Sequence, residues 1–259
     1  MRVDLHNHTP LCNHATGSPR EFIKEAINQN IDIFGFSDHA PMEFDKKYRM
    51  SFSQMKEYEE KIKSLKEEFK DKIDIRVGYE VDFLPGFIDK RVIKAKVDYL
   101  IGSVHFIKKW GFDNPEFIGE WKNKDIDKIY EEYFEAVKNM AKSGLFQIVG
   151  HLDLIKVFNF KPKKDIRLLA KEAIKEIKRA NMVVELNSAG FRKPVNEPYP
   201  SKELLQLCYE EQIEITFGSD AHKIGDIGYK YSDIISIAKE IGYKNCVSFI
   251  NKDRVLHNF

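Results

Sequence analysis

The feature that most restricts how this chain can fold is a repeated one: short apolar runs that end in histidine or in a carboxylate. Six of the eight histidines, His6, His8, His39, His105, His151 and His222, stand directly after such runs or just beyond them. The first run shows why this matters. In Arg2-Val3-Asp4-Leu5-His6-Asn7-His8, if Val3 and Leu5 point into a sheet core, alternation turns His6 and His8 together to the other face. Two imidazoles on one face can grip one cation, and His14 follows in a loop marked by Pro10 and Gly17. Histidines scattered over a surface would not track strand ends.

Between these runs the pattern is helical. Ser18-Pro19-Arg20-Glu21 offers an N-cap, a proline at the first helical position and a glutamate that reaches back to the cap, so a helix is expected over about 19–28. Met55, Tyr58, Ile62, Leu65 and Phe69 recur at helical spacing within 51–70. Further helices are expected over about 125–142 and 164–180, from a cap near Ser201, and over about 231–241. The intervening strands are read at 31–36, 73–81, 97–104, 146–149, 183–187 and 213–217, which with the first makes seven, and a short run at 246–250 closes the chain. Residues 106–124 are aromatic and broken by Gly and Pro, and are read either as a lid over a site or as a surface-packed loop.

Alternating strands and helices with short connections imply parallel strands covered by helices. The polar residues choose between the two arrangements that remain. Only a barrel gathers the carboxyl ends of all its strands around one centre, whereas an open sheet spreads them along an edge. The absence of a glycine-rich dinucleotide or Walker loop also disfavours the open sheet. The expectation is an α/β fold, a seven-stranded TIM-like barrel with a metal site at the carboxyl ends, forming a single domain over 1–259.

Charge and cysteine usage narrow the partners. Lys plus Arg number 42 against 41 Asp plus Glu, a formal charge of +1, so no broad field attracts nucleic acid or an anionic membrane. Cys12, Cys208 and Cys246 are odd in number and widely spaced, which suits a reducing cytosol better than a disulfide framework. No signal-peptide pattern is visible, and no apolar stretch reaches the roughly 20 residues of a membrane span. A cytoplasmic protein acting on a small molecule is expected. Cys12, between His8 and His14, is read as a small loop residue rather than a ligand.

The series Asp4-x-His6-x-His8, His14, Ser37-Asp38-His39, Glu80, Ser103-x-His105, Gly150-His151-x-Asp153 and Ser219-Asp220-x-His222 closely resembles the polymerase and histidinol phosphatase (PHP) family, over almost the length of the chain. The stretches His8-Thr9-Pro10 through Cys12 to His14-Ala15, Asp38-His39-Ala40-Pro41 and His151-Leu152-Asp153-Leu154 look most like its histidinol-phosphatase branch. The resemblance implies a distorted (β/α)7 barrel holding up to three divalent ions. It assigns the first to His6, His8, Glu80 and Asp220, the second to Glu80, His105 and His151 with Glu80 bridging, and the third to His14, His39 and His222. Imidazoles with a few carboxylates suit Zn, Mn or Fe rather than a Ca or Mg cage.

Any one buried histidine bonded to a carboxylate is most often structural. Nine such groups together would require a core that buries many ionisable side chains with no ion to compensate them. Clustered metals suit phosphate ester hydrolysis, because they acidify water and offset phosphoryl charge. The resemblance implies histidinol-phosphate phosphatase, releasing L-histidinol and phosphate in histidine biosynthesis. Glu80, Asp220 and Arg192 are expected to carry the catalysis, with Arg192 as phosphate clamp and Lys156 as the second cation. Asp4, Asp38 and Asp153 are read as orienting carboxylates, and the general acid is left open between Asp153 and a water on the cluster. Asp82, Phe106 and Glu185 are candidates for reading the substrate at the mouth. The rival readings are a PHP phosphodiesterase, exonuclease or phosphotyrosine phosphatase, a metal-dependent amidohydrolase, and a binding protein without turnover.

Overall fold

Most barrel strands are short apolar segments that follow a capped helix. In the computed structural model, which describes residues 1–259, β1 (Val3–Asp4) leads to α1 (Pro19–Asn28). The Ser18 hydroxyl accepts from the amide of Glu21 and the Glu21 carboxylate accepts from the amide of Ser18, the reciprocal cap that the sequence predicts. There follow β2 (Ile33–Phe36), α2 (Met55–Phe69), β3 (Asp74–Asp82), α3 (Lys90–Ile93) and β4 (Tyr99–Ser103). The α2 face that is buried is Tyr58, Ile62, Leu65 and Phe69, as their spacing requires. Beyond a hairpin of β5 (Phe106–Ile107) and β6 (Trp110–Gly111) come α4 (Ile126–Lys142), β7 (Ile148–Val149), α5 (Ile166–Arg179) and β8 (Val183–Asn187). The chain continues through α6 (Lys202–Glu210), β9 (Ile215–Gly218) and α7 (Tyr231–Ile241) to β10 (Asn245–Ile250) and β11 (Asp253–Asn258).

Seven strands form one parallel sheet in the order β1-β2-β3-β4-β7-β8-β9. The ring is brought round by backbone bonds between its first and last members: Leu5 N donates to Phe217 O at 2.9 Å and His8 N to Ala221 O at 3.0 Å. The Asn7–Ala221 bridge joins the same two segments. This is the nearly closed barrel expected. Beyond β1 the segment bonds to both sides: Leu5 and His8 donate toward β9, while Asn7 O accepts from Ser37 N at the end of β2. From β4, the Tyr99 hydroxyl donates to Leu5 O, so its ring crosses the interior, and Gly35 lets it pass because a Cβ there would lie 2.1 Å from that oxygen.

Two segments differ from the sequence reading. Residues 106–124 are more regular than expected, with the β5–β6 hairpin followed by a 3-10 helix over Pro115–Asn123. Phe112 and Trp121 anchor the segment in the main core, where the Trp121 indole donates to Phe112 O at 3.0 Å and stacks on Phe160. The chain also does not stop pairing at Ile250: β10 turns into β11, a strand hidden in the sequence because its polar Asp253, Arg254 and Asn258 and its Leu256 are exposed on a surface ribbon, while the half-buried His257 bonds Ser248. The hairpin packs against the starts of the barrel strands. Asn251 and Lys252 donate to Asp98, just before β4, and Phe249 lies beside Tyr99. No helix is long and apolar enough to cross a membrane.

Candidate metal centre

Glu80 is the centre of the site. It stands in β3, 1 % exposed, and its backbone is locked to the neighbouring strand end: Glu80 N donates to Ser37 O and Ala40 N donates to Glu80 O. Its two oxygens face different histidines. Oε2 lies 3.4 Å from His6 Nε2, 3.7 Å from His8 Nε2 and 3.0 Å from His39 Nδ1. Oε1 lies 2.8 Å from His151 Nε2 and 3.6 Å from His105 Nε2. One carboxylate thus divides two groups of imidazoles.

Three sets of donor atoms lie within 4.8 Å of one another: His6, His8 and Glu80; Glu80, His105 and His151; and His14, His39 and His222. Asp220 Oδ1 joins the first set at 3.1 Å from His8 Nε2 and 3.9 Å from His6 Nε2. The sets share a wall, with the His8 and His222 rings stacked at 4.0 Å and His14 4.6 Å from His222. All nine residues singled out as ligands in the sequence therefore meet at one end of the barrel. His151 (φ 24°) and Asp220 (φ 51°) are held at positive φ, a strained backbone of the kind that persists where a site needs it.

Four of the imidazoles are held from behind through Nδ1, which turns their Nε2 atoms inward. His6 Nδ1 is held by Glu185 Oε1 and His105 Nδ1 by Asp82 Oδ1, each at 2.7 Å. His14 Nδ1 donates to Cys12 O and His222 Nδ1 to Asp220 O. A proton fixed on Nδ1 leaves the Nε2 lone pair for an ion. The fit to metal is visible in what these atoms lack: His6 Nε2 and His222 Nε2 are buried without a hydrogen-bond partner. Buried polar atoms are rarely left so. The structure gathers several His and Glu clusters suited in donor type and spacing to divalent metal.

Electrostatics point the same way. Burial alone would raise the pKa of Glu80, but the imidazoles of His39, His6 and His105 hold it well below the usual carboxylate range. Burial, with the charge of His8 adding, pushes His39 down to about 4 despite Glu80. Burial opposes protonation of His105, but Asp82 and Glu80 outweigh it and raise the group to about 10. Cys12 Sγ also lies within reach of His8 and His222. Burial, then the charge of Asp38, pushes that thiol well above its ordinary value.

Several supporting residues occupy places other than those expected. Asp82 and Glu185 do not stand at the mouth to read substrate; both are fully buried behind imidazoles. Glu185 also accepts from the amide of His151, and Gly218 admits it, since a Cβ there would lie 2.1 Å from its Oε1. Asp82 is in turn held by the buried Arg49 at 2.8 Å. An acidic residue inside an apolar strand is the signal that could have revealed both. Asp38 does face His8 Nδ1, at 3.4 Å. Asp4 instead pins the backbone, accepting from the Ser219 amide and hydroxyl and from Asn7. Phe106 is half-buried against Phe44.

The two expected phosphate cations differ. Arg192 is fixed beside Asp220: its Nη2 donates to Ser219 O at 2.8 Å and Asp220 O at 3.0 Å, and its Nη1 is buried with no partner. Lys156 is withdrawn as a phosphate ligand. Its buried ammonium donates to Pro198 O at 2.7 Å and pairs with Asp153 at 2.8 Å, with Glu197 at 3.6 Å. The same oxygen of Asp153, Oδ2, also accepts from the Ser201 amide, so Asp153 orients no imidazole, while its Oδ1 is buried without a partner.

Comparison with known proteins gives consistent matches. The model of the PHP domain matches residues 4–189. A Deinococcus radiodurans protein described as "probable histidinol-phosphatase" is 39% identical over 244 residues, covering 92% of this chain and 93% of its own. The histidinol-phosphatase of Bacillus subtilis is 29% identical over 262 residues, covering 89% and 97%. Among solved structures, the histidinol phosphate phosphatase of Lactococcus lactis, complexed with zinc, L-histidinol and phosphate, superposes with a TM-score of 0.78. It is 24% identical and covers 98% of each chain.

Proposed function

From the premise that the chain belongs to the PHP family, we propose that it is a metal-dependent phosphomonoesterase that hydrolyses L-histidinol phosphate to L-histidinol and phosphate, a step of histidine biosynthesis. The observation that carries the chemistry is the division of Glu80 between two imidazole groups, with buried ring nitrogens left unpartnered. The choice of substrate is carried by the 39% identity that runs almost end to end through both chains. The acting unit is the whole of residues 1–259, and its partner is a small phosphate ester rather than nucleic acid or membrane. Location in the cytoplasm belongs to the same reading.

His6, His8, Glu80 and Asp220 would hold one ion, Glu80, His105 and His151 a second, and His14, His39 and His222 a third; the donor types suit Zn, Mn or Fe. When bound, such ions acidify water and offset the charge of a phosphoryl group. The chain's own groups do the rest. Glu80 and Asp220 supply buried negative charge that fixes where cations and therefore phosphate settle. Glu185 and Asp82 keep the His6 and His105 rings oriented through Nδ1. Arg192, with one arm tied to the Asp220 loop and Nη1 free, is pre-aimed to hold a phosphoryl oxygen without moving.

The test is a panel of phosphate monoesters, including L-histidinol phosphate, p-nitrophenyl phosphate and phosphotyrosine, assayed after metal analysis of the purified protein. L-Histidinol phosphate should give the highest kcat/KM, and chelation should abolish turnover. Another ester ahead by orders of magnitude would remove the substrate assignment while leaving the phosphomonoesterase; turnover that survives complete metal removal would remove both.

A further inference from the structure

Tyr199 lies in the loop between β8 and α6 and is strapped to the end of β8 from both sides. Asn187 N donates to Tyr199 O at 2.6 Å, and Tyr199 N donates to Asn187 O at 2.9 Å. The ring is 1 % exposed and stands edge-on to the imidazole of His151, centroids 6.4 Å apart and planes at 77°. The Lys156 ammonium lies 5.4 Å from its centroid. The ring is therefore fixed beside the metal cluster by backbone, by packing and by a cation.

Its hydroxyl, however, is buried and bonded to nothing. A phenol placed there for packing needs no oxygen, and an unmade buried hydrogen bond weakens folding. Arg192, on the same loop, carries a second orphan: Nη1 is buried and unpartnered although Nη2 is held by two carbonyls. The loop thus carries two unpartnered donors beside His151 and Asp220, and the buried Ser188 hydroxyl at its start is a third.

We propose that Tyr199 is a catalytic residue whose hydroxyl donates a hydrogen bond to the phosphoryl group of the substrate, alongside Arg192. This rests on the phosphomonoesterase reading above. It gives the site one charged and one neutral donor for phosphate, both pre-positioned and neither needing to break a bond with the protein in order to bind.

The experiment compares the metal-loaded wild type with Tyr199→Phe, using inorganic phosphate as the probe and a phosphate monoester as substrate. Removing the hydroxyl should weaken phosphate about tenfold and lower kcat/KM by about 10-fold to 100-fold, the scale of one lost oxyanion donor. Metal content should be unchanged, and the melting temperature of the phosphate-free protein should stay the same or rise, because an unsatisfied group has gone. Equal phosphate affinity in the two proteins overturns the proposal. So does a Tyr199→Phe chain that melts earlier or fails to fold, since the hydroxyl would then be structural. A wild type that neither binds phosphate nor hydrolyses any monoester removes the functional reading itself, a result distinct from either.

Discussion

The two ends of the barrel are built from the same strands and differ in almost everything else. At the amino ends, Tyr99, Ile101, Ile33 and Val183 meet Val247 and Phe249 from the closing hairpin in one apolar cluster. At the carboxyl ends, a few residues further along the same strands, Glu80, Glu185, Asp82 and the imidazoles are buried together, some with nitrogens that bond nothing. The first end lowers free energy by burial; the second carries ionisable groups that an apolar core would exclude. The difference teaches that stability and chemistry are separable along each strand, and that the strands can hold a costly cluster because the opposite end does not share in it.

Four substitutions would break or sharpen that contrast. Glu80→Gln should have the largest effect, a loss of more than about 10³-fold in kcat with metal released, because the group shared by two subsites loses its charge. Steady-state kinetics with metal analysis checks this, and normal activity at normal metal content would defeat it. At the other end, Phe249→Ala should cost about 3–5 kcal/mol of stability in urea unfolding while the folded fraction keeps its kcat/KM. A matching fall in the activity of folded protein would show that the two ends are not separable.

Asp82→Asn is intermediate. It leaves His105 without its carboxylate, so ion affinity at the second subsite should fall about 10-fold to 100-fold in competition with a chelating dye, and the urea midpoint should fall as well, because the buried Arg49 loses the same charge. The smallest effect belongs to Ser18→Ala, which removes the α1 cap far from the cluster and should cost about 1 kcal/mol with kinetics unchanged. Altered metal content in that variant would contradict the separation.

The same contrast explains what could be read without coordinates. The strands and helices were legible where one local pattern settled them: α7 occupies Tyr231–Ile241 as its spacing predicts, and an apolar run ending in histidine or a carboxylate marked every ligand-bearing strand. The barrel followed because ligands on separate strand ends need a common centre. Pairings distant in sequence were not legible. His6 meets Glu185 across 179 positions and His105 meets Asp82 across 23, so two carboxylates expected at the mouth lie behind the rings. Lys156 looked like a free cation because nothing local shows that Pro198 O and Asp153 take up its ammonium. Tyr199 carried no motif; its significance lies in a bond its hydroxyl does not make. Strand β11 was hidden because a surface ribbon needs only one apolar neighbour.

On the assignment proposed above, Glu80 would hold two ions through its separate oxygens while His14, His39 and His222 would hold another. Anomalous X-ray scattering from crystals of the metal-loaded protein measures this most directly. The account predicts one peak against Glu80 Oε2 with His6, His8 and Asp220, one against Oε1 with His105 and His151, and one among His14, His39 and His222. A fully loaded crystal with a single peak, or with Glu80 touching no metal, would contradict it.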